Sequence, residues 1–313
     1  MNRTVIKTGL WLLLSLALSI LLFRDFWVEL PVILSPQWIF GEYHVAPWGI
    51  LALCLAFLWL KRKEVWEEMR RSGSSYKRGI IAGVVLIGLA LIAIAVLIPV
   101  SRNYLVFKVL LASLALFGIF FFRAIKIPVV LFTIYGFVIT FPLLIQRFAE
   151  YAYSQTALIP MMGIMNLLGY QIQTQGRVLS FTSISGETVS AAITTACAGP
   201  ATMAVFIALF VLMMMDRPLP GKKAAWLFII GVAGTWIQSI IRLVLLMVMG
   251  YYWGNDALWT AHYWTIYMLF PLWYLIYVYI YFHQINKSLE STGQQDLGSD
   301  MISATQGQDN GTE

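Results

Sequence analysis

Charge is scarce in this chain. Of its 313 residues only 12% are Asp, Glu, Lys or Arg, about half the share of an ordinary soluble domain. Cysteine is scarcer still. Cys54 and Cys197 are too few for a disulfide framework, and they sit in or beside different apolar runs, which argues against a bridge between them. Only three histidines are present, and none is spaced to another His or Cys as metal ligands are, so no metal or other cofactor is expected. A basic stripe on a soluble face is missing, which argues against nucleic acid as a partner. Short alternating strands are missing from most of the chain, which argues against a β-barrel.

Apolar residues make up 60% of the chain, and mean hydropathy is +0.77. They gather in runs of roughly 16 to 25 residues, the length that crosses a bilayer core at 1.5 Å per helical residue. The pattern predicts an all-α polytopic membrane protein with about eight transmembrane helices, at 8–23, 45–60, 79–100, 104–122, 127–145, 198–215, 224–249 and 263–284. The first run follows Arg3 and Lys7 as a signal peptide would. Arg24 and Asp25 follow it at once, with no small-residue cleavage site, so an uncleaved anchor is expected.

Loop charge sets the orientation. With the N-terminus inside, cytoplasmic segments hold fifteen Lys and Arg, including Lys61, Arg62, Lys63, Arg70, Arg71, Arg123, Arg217, Lys222 and Lys223. The opposite side holds four: Arg24, Arg102, Arg147 and Arg177. The positive-inside rule then puts both termini in the cytoplasm of a multi-pass protein of the cell membrane.

Two stretches are not expected to span. Residues 146–196 form a long external segment with an apolar patch, Leu158–Leu168, too short to cross and read as re-entrant or interfacial. After it, alternating and β-branched residues flank Ser185-Gly186, which predicts a small extracytoplasmic β-hairpin. From about Ser288 the chain is rich in Ser, Gly, Gln, Asp and Thr, which predicts disorder. The expected organisation is four N-terminal spans in 1–125, a transmembrane core in 126–287 and a disordered cytoplasmic tail in 288–313.

Three residues in the core carry possible chemistry. Cys197 lies in Thr194-Thr-Ala-Cys-Ala-Gly-Pro200, where the external strand gives way to the sixth span. Pro200 suits a first helical turn, so Cys197 falls at or just before a helix N-terminus, where the dipole and free amides favour a thiolate. Amides near Ala198 and Gly199 could hold an oxyanion. An isolated Cys is more often a small packing residue. Arg242 lies within an otherwise apolar span, roughly 12 Å from its outer end. Placing Arg there costs roughly 2.5 to 3.5 kcal/mol, and such groups are functional by default. Partial snorkelling would bring the guanidinium toward the outer interface; the bland alternative is a structural Arg satisfied by carbonyls or by Gln238 and Ser239. His262 opens the eighth span, where a lone His is commonly a satisfied polar residue. The three come from consecutive spans and are placed by topology at one face. Their chemistry would be covalent acyl transfer, with a thiolate attacking a peptide carbonyl, an imidazole moving the proton and a guanidinium stabilising the oxyanion.

At these residues the sequence resembles the exosortase and archaeosortase family of membrane transpeptidases, over about residues 125 to 285. The carrying pieces are Ala196-Cys197-Ala198-Gly199 at a span start, Arg242 within a later span, and His262 about twenty residues on. The resemblance implies roles for Cys197 as nucleophile, Arg242 as transition-state stabiliser and His262 as general acid/base. It implies, as partners, exported proteins with a C-terminal tripartite sorting signal of short motif, apolar helix and basic cluster, and a lipid or other amine acceptor. The active site would face outside. Many members have Cys-Ser-Gly where this chain has Cys-Ala-Gly-Pro, and Asn where it has Ser239; some archaeosortases have Arg in place of the histidine. These departures leave the subfamily open. Two other classes remain: a transporter that binds an anion at Arg242, expected to show repeats and more midplane polar groups, and a non-catalytic scaffold of surface-polymer assembly. Cys54, His44, His283 and Lys108 are read as structural.

Overall fold

The computed structural model describes residues 3–41, 45–71, 102–176, 178–193 and 195–306. The third expected span, 79–100, and the residues His44 and Arg177 lie outside the described residues.

Helix dominates. In chain order the elements are α1 (Arg3–Leu22), α2 (Arg24–Ile33), α3 (Pro36–Ile39), α4 (Val45–Leu60), α5 (Arg62–Arg71), α6 (Arg102–Phe120), a 3₁₀ turn (Phe122–Ile125), α7 (Lys126–Phe148) and α8 (Glu150–Leu167). Three strands follow, β1 (Gln173–Gln175), β2 (Val178–Thr182) and β3 (Thr188–Ala192), then a single turn α9 (Thr195–Ala198), α10 (Pro200–Asp216) and α11 (Gly221–Gln306). Among the described residues three helices are long and apolar enough to cross a membrane, or four if the bent pair α4–α5 counts as one span. Two shorter apolar helices, Tyr104–Phe120 and Pro200–Asp216, coincide with further expected spans.

α10 is the central post. Its Ala204, Ala208 and Leu212 pack against Ile50, Cys54 and Phe57 of α4 and Leu131, Ile134 and Val138 of α7. Small residues there let backbones approach where lipid gives no hydrophobic drive between helices. Cys54 is buried in this seam, its thiol donating to the Leu131 carbonyl at 3.7 Å, as a packing residue should. On its other side α10 sets Phe206, Phe210 and Met213 against Leu227, Tyr277 and Tyr281 of α11.

The two ends of the bundle differ in kind. At one, Lys61 pairs with Asp216 at 3.2 Å, and the Arg123 guanidinium donates to the Arg71 carbonyl at 3.2 Å. These contacts gather the ends of α4, α5 and α10 and the turn that follows α6. The 17 residues of α10, about 25 Å of helix, separate that end from the Cys197 turn and the sheet.

The expected hairpin gains a third strand. β2 and β3 pair antiparallel with Phe181 opposite Val189, and β1 adds to the other edge of β2 with Gln173 opposite Ser180. Gln173-Thr-Gln is exposed throughout, so it carries no apolar alternation to mark it as a strand. Leu179, Phe181 and Val189 point inward and join a core with α8 and α11.

The apolar patch Leu158–Leu168, expected not to span, is helical and is not among the helices long and apolar enough to cross a membrane. It belongs to the 18-residue helix α8, which leaves α7 at Ala149 and buries Ala157, Leu158, Met161 and Met165 beneath the sheet. The spans expected at 224–249 and 263–284 are two arms of α11, parted at one residue, Gly254 (φ 81, ψ −170). The helix also runs to Gln306, through residues 288–306, where composition predicts a disordered tail.

Candidate active site

The two arms of α11, 221–253 and 255–306, double back on each other and are bonded rung by rung. Tyr277 donates its hydroxyl to the Leu227 carbonyl at 2.9 Å. The Trp273 indole donates to the Thr235 hydroxyl at 3.0 Å, and the Gln238 amide donates to the Leu269 carbonyl. Nearer the break, Arg242 reaches across to Thr265 and His262. Thr235, Gln238 and Arg242 fall on one helical stripe, so the first arm presents its polar groups to the second. In a dry interior each must find a partner, and the facing arm supplies one.

Arg242 is 2% exposed. Its Nε donates to the Thr265 hydroxyl at 3.1 Å, and one terminal nitrogen donates to the His262 carbonyl at 3.2 Å. That same nitrogen stands 3.4 Å from Nδ1 and 3.5 Å from Nε2 of the His262 ring. The Thr265 hydroxyl in turn donates to the His262 carbonyl at 3.3 Å. The hydroxyl and amide on Arg242's own helix bond elsewhere, Ser239 to the Thr235 carbonyl at 3.1 Å and Gln238 to Leu269. Arg242 and His262, twenty residues apart in sequence, are thus in direct contact.

Cys197 enters from a third direction. It sits in the α9 turn, and Gly199 (φ 84) reverses the backbone into Pro200, the first residue of α10. The helix start expected at Pro200 is present. Gly199 lies against Ser239, one turn before Arg242, with no space for a Cβ. Half-buried Cys197 packs on the core that includes Ala198, Leu243, Leu246 and Ala261, and Leu243 and Ala261 are the chain neighbours of Arg242 and His262. The edge of the Trp259 ring approaches His262 with centroids 5.5 Å apart.

The segment that leads into the sheet packs on the end of the first arm. Tyr170, after α8, donates its hydroxyl to that of Tyr252 at 3.4 Å and edges onto the Tyr251 ring with centroids 4.7 Å apart. This hydrogen bond, with smaller help from burial, pushes the Tyr170 phenol above its ordinary pKa. Among the described residues no cluster of His, Cys, Asp and Glu could hold a metal ion.

The family model described as transmembrane exosortase matches residues 38–279, a stretch that holds the Cys197 turn, the sheet, the first arm of α11 and the second arm up to residue 279. The chain belongs to the transmembrane exosortase family. The match starts far ahead of residue 125, so the family unit takes in α4 to α7 as well as the later helices. No curated protein and no solved structure matches the chain.

In this exosortase-family member the sequence points to Cys197, Arg242 and His262 and to the amide near Gly199, but not to the tight packing of Gly199 on Ser239, nor to Thr265 or Glu187. A signal existed for some of them. Gly199 precedes a helix-starting proline, where a left-handed residue is common punctuation. Thr235, Gln238 and Arg242 repeat at helical spacing within apolar surroundings. Thr265 and Glu187 gave no such signal, because their partners lie across a reversal of the chain.

Proposed function

We propose that this protein is a membrane-embedded cysteine transpeptidase that cleaves the C-terminal sorting signals of exported proteins at the outer face of the cell membrane. Cys197 is the nucleophile, His262 the general acid/base and Arg242 the stabiliser of the oxyanion. The Cys197 thiolate attacks the scissile carbonyl carbon, and the negative charge that develops on oxygen falls to Arg242 and the amides near Ala198 and Gly199. The C–N bond then breaks, His262 delivers a proton to the departing amine, and a thioester remains on Cys197. A lipid-borne or other amine attacks the thioester, gives its proton to His262 and releases the thiolate. A substrate helix anchored in the bilayer, with its basic cluster inside, would present its motif at this depth.

The observation that carries the reading is the buried Arg242 in contact with His262, in a core that also receives the Cys197 turn. A buried guanidinium is expensive in a membrane interior and is kept where it has work to do. The family membership supports the reading in its general form. The test co-expresses the protein with an exported substrate that ends in a motif, an apolar helix and basic residues. Cys197→Ala and Cys197→Ser should both leave the substrate at full length. Undiminished processing by Cys197→Ala eliminates the enzyme reading.

A further inference from the structure

We infer that Thr265 is a positioning residue for Arg242, holding the guanidinium by its side edge so that its plane and reach are fixed before substrate arrives. The inference rests on the transpeptidase reading for its catalytic consequence, but its structural content stands separately.

An arginine side chain can be gripped in two ways. One uses the end of the fork, where both terminal nitrogens point. The other uses the side edge formed by Nε and the terminal nitrogen on the same side as the Nε proton. Here the side edge is taken. Nε donates to the Thr265 hydroxyl at 3.1 Å, and Nη2 donates to the His262 carbonyl at 3.2 Å. Two parallel bonds to fixed acceptors stop rotation about the Cδ–Nε bond, which a single bond would leave open. Nη1 lies on the far side of the fork from Thr265.

Thr265 is itself held. It is 7% exposed, and its hydroxyl proton is committed to the His262 carbonyl at 3.3 Å, one turn back on its own helix. That leaves the oxygen's lone pairs turned toward the arginine. A hydroxyl that spends its proton on a helix carbonyl and accepts from Nε has one orientation available. The same carbonyl receives both Thr265 and Arg242, so Thr265, Arg242 and His262 form a closed triangle of bonds. The consequence for His262 is direct: its backbone is drawn to the guanidinium, and its ring nitrogens then lie 3.4 and 3.5 Å from Nη2. Threonine also suits a helix at this position, because its hydroxyl can bond a carbonyl three residues back.

The experiment uses the full-length protein in membranes and in detergent, with Thr265→Val and Thr265→Ser. Valine keeps the volume and loses the hydroxyl; serine keeps the hydroxyl. Two quantities are read: processing kinetics with an exported substrate, and the Nε–H signal of Arg242 in arginine-labelled protein, identified by its loss in Arg242→Lys. In the wild type this Nε–H should exchange slowly with solvent. Thr265→Val should speed its exchange at least tenfold and lower kcat at least tenfold with KM changed less than twofold, while Thr265→Ser restores both to within about threefold. Slow exchange persisting in Thr265→Val overturns the inference, as does a serine variant as impaired as valine. If Cys197→Ala processes substrate normally, the transpeptidase reading fails; the Nε–H result then still decides whether Thr265 holds Arg242.

Discussion

The Glu187 carboxylate accepts a hydrogen bond from the backbone N–H of Asn255 at 3.3 Å, across the break in α11. At the same turn the Ile184 N–H donates to the Tyr251 carbonyl at 2.9 Å. One loop of the sheet therefore caps both sides of the break. It satisfies a carbonyl where the first arm ends and an N–H where the second begins, groups that every helix terminus leaves open. A carboxylate at a helix start also meets the positive end of the dipole.

Removing this cap should loosen the site without unfolding the bundle. Glu187→Ala is expected to lower stability by about 1 kcal/mol, the usual scale for losing a capping side chain, and Glu187→Gln by less because an acceptor oxygen remains. Gly254→Ala should be the more damaging change, since residue 254 has φ 81 and a Cβ there would meet the Glu187 carboxylate. Left-handed strain alone is worth about 1–3 kcal/mol. Thermal unfolding in detergent gives the ranking, and Glu187→Ala matching Gly254→Ala would contradict it.

Gly199→Ala should abolish processing while the protein still inserts. The methyl group would collide with the Ser239 hydroxyl, and φ 84 is unfavourable for alanine. Adding Ser239→Gly removes the collision with Ser239 but leaves the Thr202 hydroxyl 2.9 Å from the added carbon and the backbone strain, so the double variant should recover only part of the activity. Full activity in Gly199→Ala would show that the turn before α10 can shift freely.

Arg242→Lys should fail nearly as badly as Arg242→Ala. An ammonium is a point charge and cannot bond Thr265 and the His262 carbonyl along one planar edge. Both variants are expected to lose at least about a hundredfold in kcat, the scale for removing one oxyanion donor. The check is single-turnover processing at matched membrane levels.

Orientation can be read by labelling. Cys54 and Cys197 are first replaced by serine, and single cysteines are placed at the exposed positions Ser185, in the sheet loop, and Lys222, beside the start of α11. A membrane-impermeant maleimide added to intact cells should modify Ser185→Cys and not Lys222→Cys. The reverse pattern would put the candidate site on the cytoplasmic side and remove exported proteins as substrates.

Tyr277→Phe tests the ladder between the arms. The hydroxyl is fully buried and bonds the Leu227 carbonyl at 2.9 Å. Its loss should lower stability by about 1 kcal/mol, the net worth of one hydrogen bond, with little effect on processing. The same thermal measurement reads it.

Much of this was legible in the chain. The runs at 45–60, 127–145 and 198–215 correspond to α4, α7 and α10, because length and hydropathy are local properties. Pro200 marked a helix start, and Cys54 read correctly as packing. The Leu158–Leu168 patch was harder. Hydropathy registers an apolar segment but not which neighbour covers it, and here the sheet and α11 bury one face of α8. The partners of Arg242 were equally hidden. Ser239 and Gln238 are its neighbours along the helix, yet the bonds run to Thr265 and His262, twenty or more residues on.

By itself the sequence determined a helical membrane protein and the residue types able to do thiol chemistry, because both follow from composition and short-range spacing. Tertiary structure alone decided that the reversal expected between 249 and 263 falls at Gly254 and sets Arg242 in direct contact with His262. A reversal at one residue converts distance along the chain into contact across it. Which side chain then answers which depends on the register of two packed arms, and nothing in their separate apolar patterns encodes that register.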